Sequence, residues 1–183
     1  AMPTLPPEIF VKALNFYLPD DIAARSAYNV SDNFNARRDA LSREYRYFIL
    51  NSATPSPLWR RYAYFVARPL DVEAMNNTCQ LLIGRHDFAS FSSSESTNTV
   101  RTAYKAEVKR EGELVIFDIV ASSFLAHQVR NIAGALINVG LGKMGVEGFG
   151  GLLSSKKPGA AGPTAPAHGL CLMRANYPEP LGR

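Results

Sequence analysis

The sequence predicts an α+β fold around a mixed or antiparallel sheet, and three observations predict it. Strand-like and helix-like stretches are interspersed along the 183 residues. Residues 100–110 and 113–122 both alternate and flank Glu111-Gly112, which is the signature of a β-hairpin. Immediately afterwards Ile132, Ala133, Leu136, Ile137 and Gly140 recur at helical spacing and form one apolar face.

Taken in order, Thr4 to Phe16 reads as a helix. Thr4 can cap it, Pro6 and Pro7 suit its first turn, and Ile9, Phe10, Ala13 and Leu14 form a stripe. Pro19 then leads into a predicted strand, Ile22 to Asn29, and the polar run Val30 to Arg38 reads as a loop or linker. From Arg43 to Asn51 the chain alternates again, with Tyr45, Tyr47 and Ile49 on one face and Arg46, Phe48 and Leu50 on the other. Both faces carry aromatic rings, so neither is plainly solvent.

A loop containing prolines follows at Ser52 to Leu58. Asp71 is placed to cap a helix running to Ile83, with Val72, Met75, Cys79 and Leu82 facing inward. Ser90 to Thr99 is rich in serine and threonine and reads as a flexible surface loop. After the hairpin and the apolar helix, Gly140 and Gly142 provide a stop with Lys143 near the helix's negative end. A glycine-rich, weakly helical stretch (Val146 to Ser155), the loop AAGPTAPAHG and a last strand (Leu170 to Asn176) complete the chain.

Hydrophobic residues make up 46% and charged residues 20%, the balance of a globular protein with room for a sizeable core. The net charge of +4 permits a nucleic-acid partner without demanding one. Cys79 and Cys171 lie far apart among apolar neighbours and read as free core thiols in a reducing compartment. No apolar run approaches the roughly 20 residues of a membrane span, and no signal segment opens the chain, so a cytoplasmic protein is expected. Ala1 and Met2, ahead of PTLPPEIF, read as a cloning remnant.

Few residues carry visible chemistry. His86, His127 and His168 lack metal-ligand spacing, and the glycines of GLGKMGVEGFGG lack the order of a phosphate loop. Asp39, beside Arg37 and Arg38, reads as a solvated charge at a strand entrance. Tyr45 could stack on a base and move a proton, although alone it reads as a strand aromatic. Arg130 is more pointed. It stands on the first turns of the apolar helix, close to the core, where an arginine usually has an anionic partner.

Four blocks in order resemble the bacterial tRNA pseudouridine synthase A family: LNFYLPDDI, FNARRDALSREYRYFILN, GRHDFASF with Val100-Arg101, and SFLAHQVRNIAGALINVGLGK with AAGPTAPAHGLCLMRANYP. The resemblance implies the pseudouridine synthase fold, with residues 1–33 the remnant of an amino-terminal domain and its linker, and 34–183 the carboxyl-terminal domain. It implies conversion of uridine to pseudouridine in the tRNA anticodon stem-loop, without cofactor or metal, by a homodimer. In such enzymes an aspartate is the nucleophile, the glycosidic bond breaks, and uracil is reattached through carbon.

The motif matches place the base-facing tyrosine at Tyr45 and the aspartate's arginine partner at Arg130. Similarity further implies tRNA contacts from Phe34, Asn35, Ala36, Arg37 and Arg38 and from Ser96, Thr97, Asn98 and Thr99, with Leu172 lining the uracil pocket. One departure is large: the Gly-Arg-Thr-Asp-x-Gly-Val motif that carries the nucleophile does not occur in these residues. Asp39 lacks the following Gly-Val. The expectation is an inactive fragment of a synthase; the alternative is a module that binds RNA or a protein partner without chemistry.

Overall fold

Strands β1 (Ser42–Leu50), β2 (Tyr64–Phe65), β3 (Gly84–Asp87), β4 (Val100–Glu111), β5 (Leu114–Ala121) and β6 (Leu170–Asn176) are joined by helices α1 (Pro7–Tyr17), α2 (Val72–Cys79), α3 (Gln128–Gly140) and α4 (Val146–Ser155). The structure, a computed structural model, describes residues 5–93 and 98–178. The chain divides into two units, Leu41–Asn176 and the remainder, 1–40 with 177–183.

In the larger unit all six strands form one sheet, ordered β2-β1-β5-β4-β3, with β6 also on β1. The β4–β5 hairpin closes around Glu111 opposite Leu114, at the predicted turn. β1 lies antiparallel to β5, with Tyr45 opposite Ile119 and Tyr47 opposite Phe117. Its other edge is shared: β6 pairs antiparallel with the first part and β2 pairs parallel at Ile49 and Leu50. One β1–β2 pair is therefore parallel and the rest of the sheet antiparallel.

The core fills one face of this sheet. Tyr47, Ile49, Phe117 and Ile119 meet Ile132, Ala133 and Leu136 of α3, all buried. Asp71 caps α2 by accepting from the Ala74 N–H at 2.9 Å, as its sequence predicts. Met75, Cys79 and Leu82 are fully buried, but the α-helix ends at Cys79 and a single 3-10 turn carries the chain to Leu82.

Two expectations fail here in instructive ways. Ser90 to Ser92 are buried instead of forming a flexible surface loop. Asn131 donates to the Phe91 carbonyl, and the Ser90 and Ser155 hydroxyls lie 3.0 Å apart, so hydrogen bonds allow these polar groups inside. Cys171 is exposed, because on β6 it stands opposite Arg46, whose face of β1 is not the core face. Cys79 does read correctly as a core thiol, and burial pushes its thiol up to about 12.

In the smaller unit, α1 begins at Pro7 with no side-chain cap, and Thr4 lies outside the described residues. Its stripe is not covered: Ile9, Phe10 and Leu14 are each nearly half exposed. Ile22 to Asn29 is not a strand. A strand needs a partner edge, and here the side chain of Asn15 takes that part alone, donating to the Ala24 carbonyl and accepting from its N–H. Asn35 to Asp39 form a tight turn. The Asn35 side chain accepts from the N–H groups of Arg37 and Arg38, and Asp39 Oδ2 accepts from the Asn35 N–H at 2.7 Å. Asp39 is thereby a turn-holding group.

Candidate active site

Tyr45 and Arg130 reach the same side of the sheet by different routes. Tyr45 is half-buried on β1, and its ring meets Phe124 edge to face at 5.0 Å. Its neighbour across the β1–β6 pairing is Leu172, so two of the residues singled out by sequence are direct cross-strand partners. The register shifts between Glu44 and Tyr45, because Glu44 pairs with Arg174 and Tyr45 with Leu172, leaving Met173 as an extra residue. Such a bulge re-aims the side chains beside it.

Arg130 lies in the first turn of α3. That helix is buried almost all round, and only Arg130, Gly134 and Asn138 form a half-exposed stripe. The Arg130 Nε–H donates to the Ala165 carbonyl at 2.7 Å, while the Ala165 N–H donates to the Arg130 carbonyl at 3.3 Å. One donor of the guanidinium fork is thus committed to backbone. Among the described residues the ion pairs are Arg46–Asp118, Lys105–Glu107 and Lys109–Glu111, and none involves Arg130.

The segment that Arg130 holds is held elsewhere as well. The Tyr47 hydroxyl donates to the Pro166 carbonyl at 2.7 Å, so a strand and a helix grip adjacent peptides. Burial pushes the Tyr47 phenol above its ordinary range, and the charge of Arg130 opposes that shift. Two glycines make this approach possible. A Cβ on Gly134 would lie 2.6 Å from the Pro163 carbonyl oxygen, and one on Gly169 would lie 2.7 Å from the Tyr47 ring. Both distances are shorter than real contacts, so hydrogen is the only substituent the packing accepts without a shift.

The entry into α3 is equally constrained. His127 adopts φ 58°, in the left-handed region that non-glycine residues seldom occupy. Gln128 Oε1 accepts from the Leu125 N–H at 2.8 Å, closing this sharp turn two residues before Arg130. Strain of this kind persists where surrounding contacts over-determine it.

The remaining sequence-predicted residues are dispersed. Phe34, Asn35, Ala36, Arg37 and Arg38 belong to the smaller unit, where Tyr177 packs on Phe34 at 5.4 Å and donates to the Ala36 carbonyl. Ser96 and Thr97 lie outside the described residues. Asn98 Oδ1 accepts from the Val100 N–H, and Thr99 hydrogen-bonds Asp87, holding that carboxyl below its usual range. The sequence reading missed Tyr47, Phe124 and the Ala165–Pro166 peptides. Tyr47 had a signal, since it shares the face of Tyr45. Among the described residues no group of three potential ligands could hold a metal ion, and no helix is long and apolar enough to cross a membrane.

A mixed, mostly antiparallel sheet flanked by helices is the pseudouridine synthase fold. The family described as tRNA pseudouridine synthase matches residues 78–178, and the chain belongs to that family. It is 45% identical over 174 residues to a protein named tRNA pseudouridine synthase A from Roseiflexus castenholzii, covering 92% of this chain and 64% of that protein. A protein of the same name from Francisella tularensis subsp. novicida is 39% identical over 170 residues, covering 92% and 66%. The chain therefore spans just under two thirds of the length of these relatives.

Proposed function

We propose that this chain is the base-holding and RNA-binding part of a cytoplasmic tRNA pseudouridine synthase that acts on uridines of the anticodon stem-loop. The observation that carries the reading is Arg130. Its guanidinium is fixed by one bond to a backbone carbonyl, has no carboxylate among the described residues, and stands on the half-exposed stripe of an otherwise buried helix. Holding such a cation in place with donors unspent suits a group that meets an anion supplied from outside its own unit.

In this reading Arg130 orients and keeps ionised the aspartate that attacks the uridine. Tyr45 lies against the flipped uracil, and Leu172 supplies an apolar wall beside it. Breaking the glycosidic bond and re-forming it at carbon conserves every atom, so neither cofactor nor metal is required. Phe34 to Arg38 and Ser96 to Thr99 contact the tRNA, and the intact protein works as a homodimer. Residues 1–33 belong with an amino-terminal domain and 34–183 form the carboxyl-terminal one.

Because the motif bearing the nucleophile does not occur among the 183 residues, the chain alone is inactive. Pseudouridine mapping on a tRNA incubated with the purified chain tests this directly. No pseudouridine is expected, and robust turnover would overturn the assignment of Arg130 as half of an incomplete pair.

A further inference from the structure

The edge of β1 that carries Leu172 continues past β6 to a second concavity that the proposed chemistry does not use. It has a volume of about 660 Å3, within the range of ligand pockets, and its lining includes Trp59, Arg60, Tyr64, Phe65, Pro166 and His168. Pro166 is the residue whose carbonyl accepts from Tyr47, so this pocket borders the segment gripped by Arg130. Along the strand, Ile49 at the β2 pairing lies four residue steps from Tyr45, roughly 13 Å at 3.3 Å per residue.

Its chemistry is distinctive. Residues 52–70 contain three arginines, Arg60, Arg61 and Arg68, and no acidic residue. Arg60 and Arg61 form no ion pair among the described residues. The aromatics are interleaved with them in the run WRRYAYF, and Trp59 is held in place by a near-parallel stack on Phe48, 6.4 Å between centroids at 28°. Planar rings beside uncompensated guanidinium groups suit a ligand that is both flat and anionic.

We infer that this pocket takes an unpaired nucleobase of the same RNA whose uridine lies at Tyr45, with Trp59 and Tyr64 stacking on the base and Arg60 neutralising a flanking phosphate. The inference rests on the RNA reading above. Trp59 stacks on Phe48, on the face of β1 opposite Tyr45, so the RNA would turn around the β2 edge between the two points. A second stacking point there would fix the register of a loop strand, so that one nucleotide and not its neighbour arrives at Tyr45.

Trp59 is the only tryptophan in the sequence, so its emission reports on the pocket directly. The probe is a fluorescently labelled stem-loop RNA of a tRNA anticodon arm, with binding to the full chain followed both by anisotropy and by tryptophan emission. The expected result is quenching along the same isotherm as binding. Trp59→Ala weakens affinity by roughly ten-fold, the scale of one lost base stack, whereas Trp59→Phe, which keeps a stacking ring, does so by only about two-fold. Arg60→Ala lowers the salt dependence of binding.

RNA that binds with emission and variant affinities unchanged overturns the pocket inference and leaves the function reading standing. Failure of the unmodified chain to bind the RNA removes both. Light scattering in which Trp59→Ala converts a free dimer to monomer assigns the pocket to a second copy of the chain, and likewise overturns the inference.

Discussion

Arg46 and Arg130 stand on opposite faces of the same sheet and are treated by the fold in opposite ways. Arg46 has its anion built in: Nε and Nη2 reach Asp118 at 2.7 and 3.2 Å, from the neighbouring strand β5, and the guanidinium also lies 5.8 Å from the Phe48 ring. Arg130 is given only a carbonyl. An arginine whose role is to tie strands together finds its carboxylate within the same unit. On the proposed function, an arginine positioned by backbone alone keeps its charge for something the unit does not contain.

The contrast is broken or sharpened most strongly at Arg130. In a protein that also supplies the Gly-Arg-Thr-Asp-x-Gly-Val segment, Arg130→Lys should lower the rate of pseudouridine formation by about 100-fold or more, the effect of losing one preorganised electrostatic partner. Turnover within about threefold of the parent would remove the distinction between the two arginines.

A middle-sized effect is expected at Tyr47. Tyr47→Phe removes the bond to Pro166 and should cost about 1 kcal/mol, read from the denaturant midpoint. The alkaline limb sharpens the same point. Burial raises the Tyr47 phenol above its ordinary 10.0, so the folded chain retains this proton where the unfolded chain has released it. The unfolded state then binds fewer protons, and stability falls as pH rises above 10, having been fully present below it. The Phe variant should lose less stability over that window, and an identical slope would show that Tyr47 does not set it.

The smallest effect belongs to Arg46. Its side chain and that of Asp118 are 29% and 15% exposed, so solvent screens the pair. Arg46→Ala should cost no more than about 1 kcal/mol and leave pseudouridine formation in the completed protein unchanged. A large catalytic loss would mean that the paired arginine, too, is part of the site.

Local patterns carried most of the larger unit's fold. The alternation of REYRYFIL, the Asp71 cap and the Glu111-Gly112 turn each specify backbone through neighbours a few residues away, and each was legible. Ile22 to Asn29 was not, because its composition suits a strand while the partner edge that would make it one is replaced by a single amide on Asn15. Ser90 to Ser92 misled for the converse reason: polar residues were read as surface, but Asn131 and Ser155 satisfy them from far along the chain. For the candidate site, Arg130 was singled out from its place on an apolar helix and Tyr45 from the motif. Its supports at Ala165, Pro166 and Tyr47 depend on contacts between distant segments, which no local period records.

The bond from Tyr47 to Pro166 joins residues 119 positions apart, whereas the hairpin of β4 and β5 closes around two residues. Loop-closure entropy makes the first of these a far slower event than the second. The clamp beneath Arg130 is therefore a product of completed folding. A chain stalled with its hairpin formed but residues 165–166 undocked would carry Arg130 in sequence without the peptide that fixes its guanidinium.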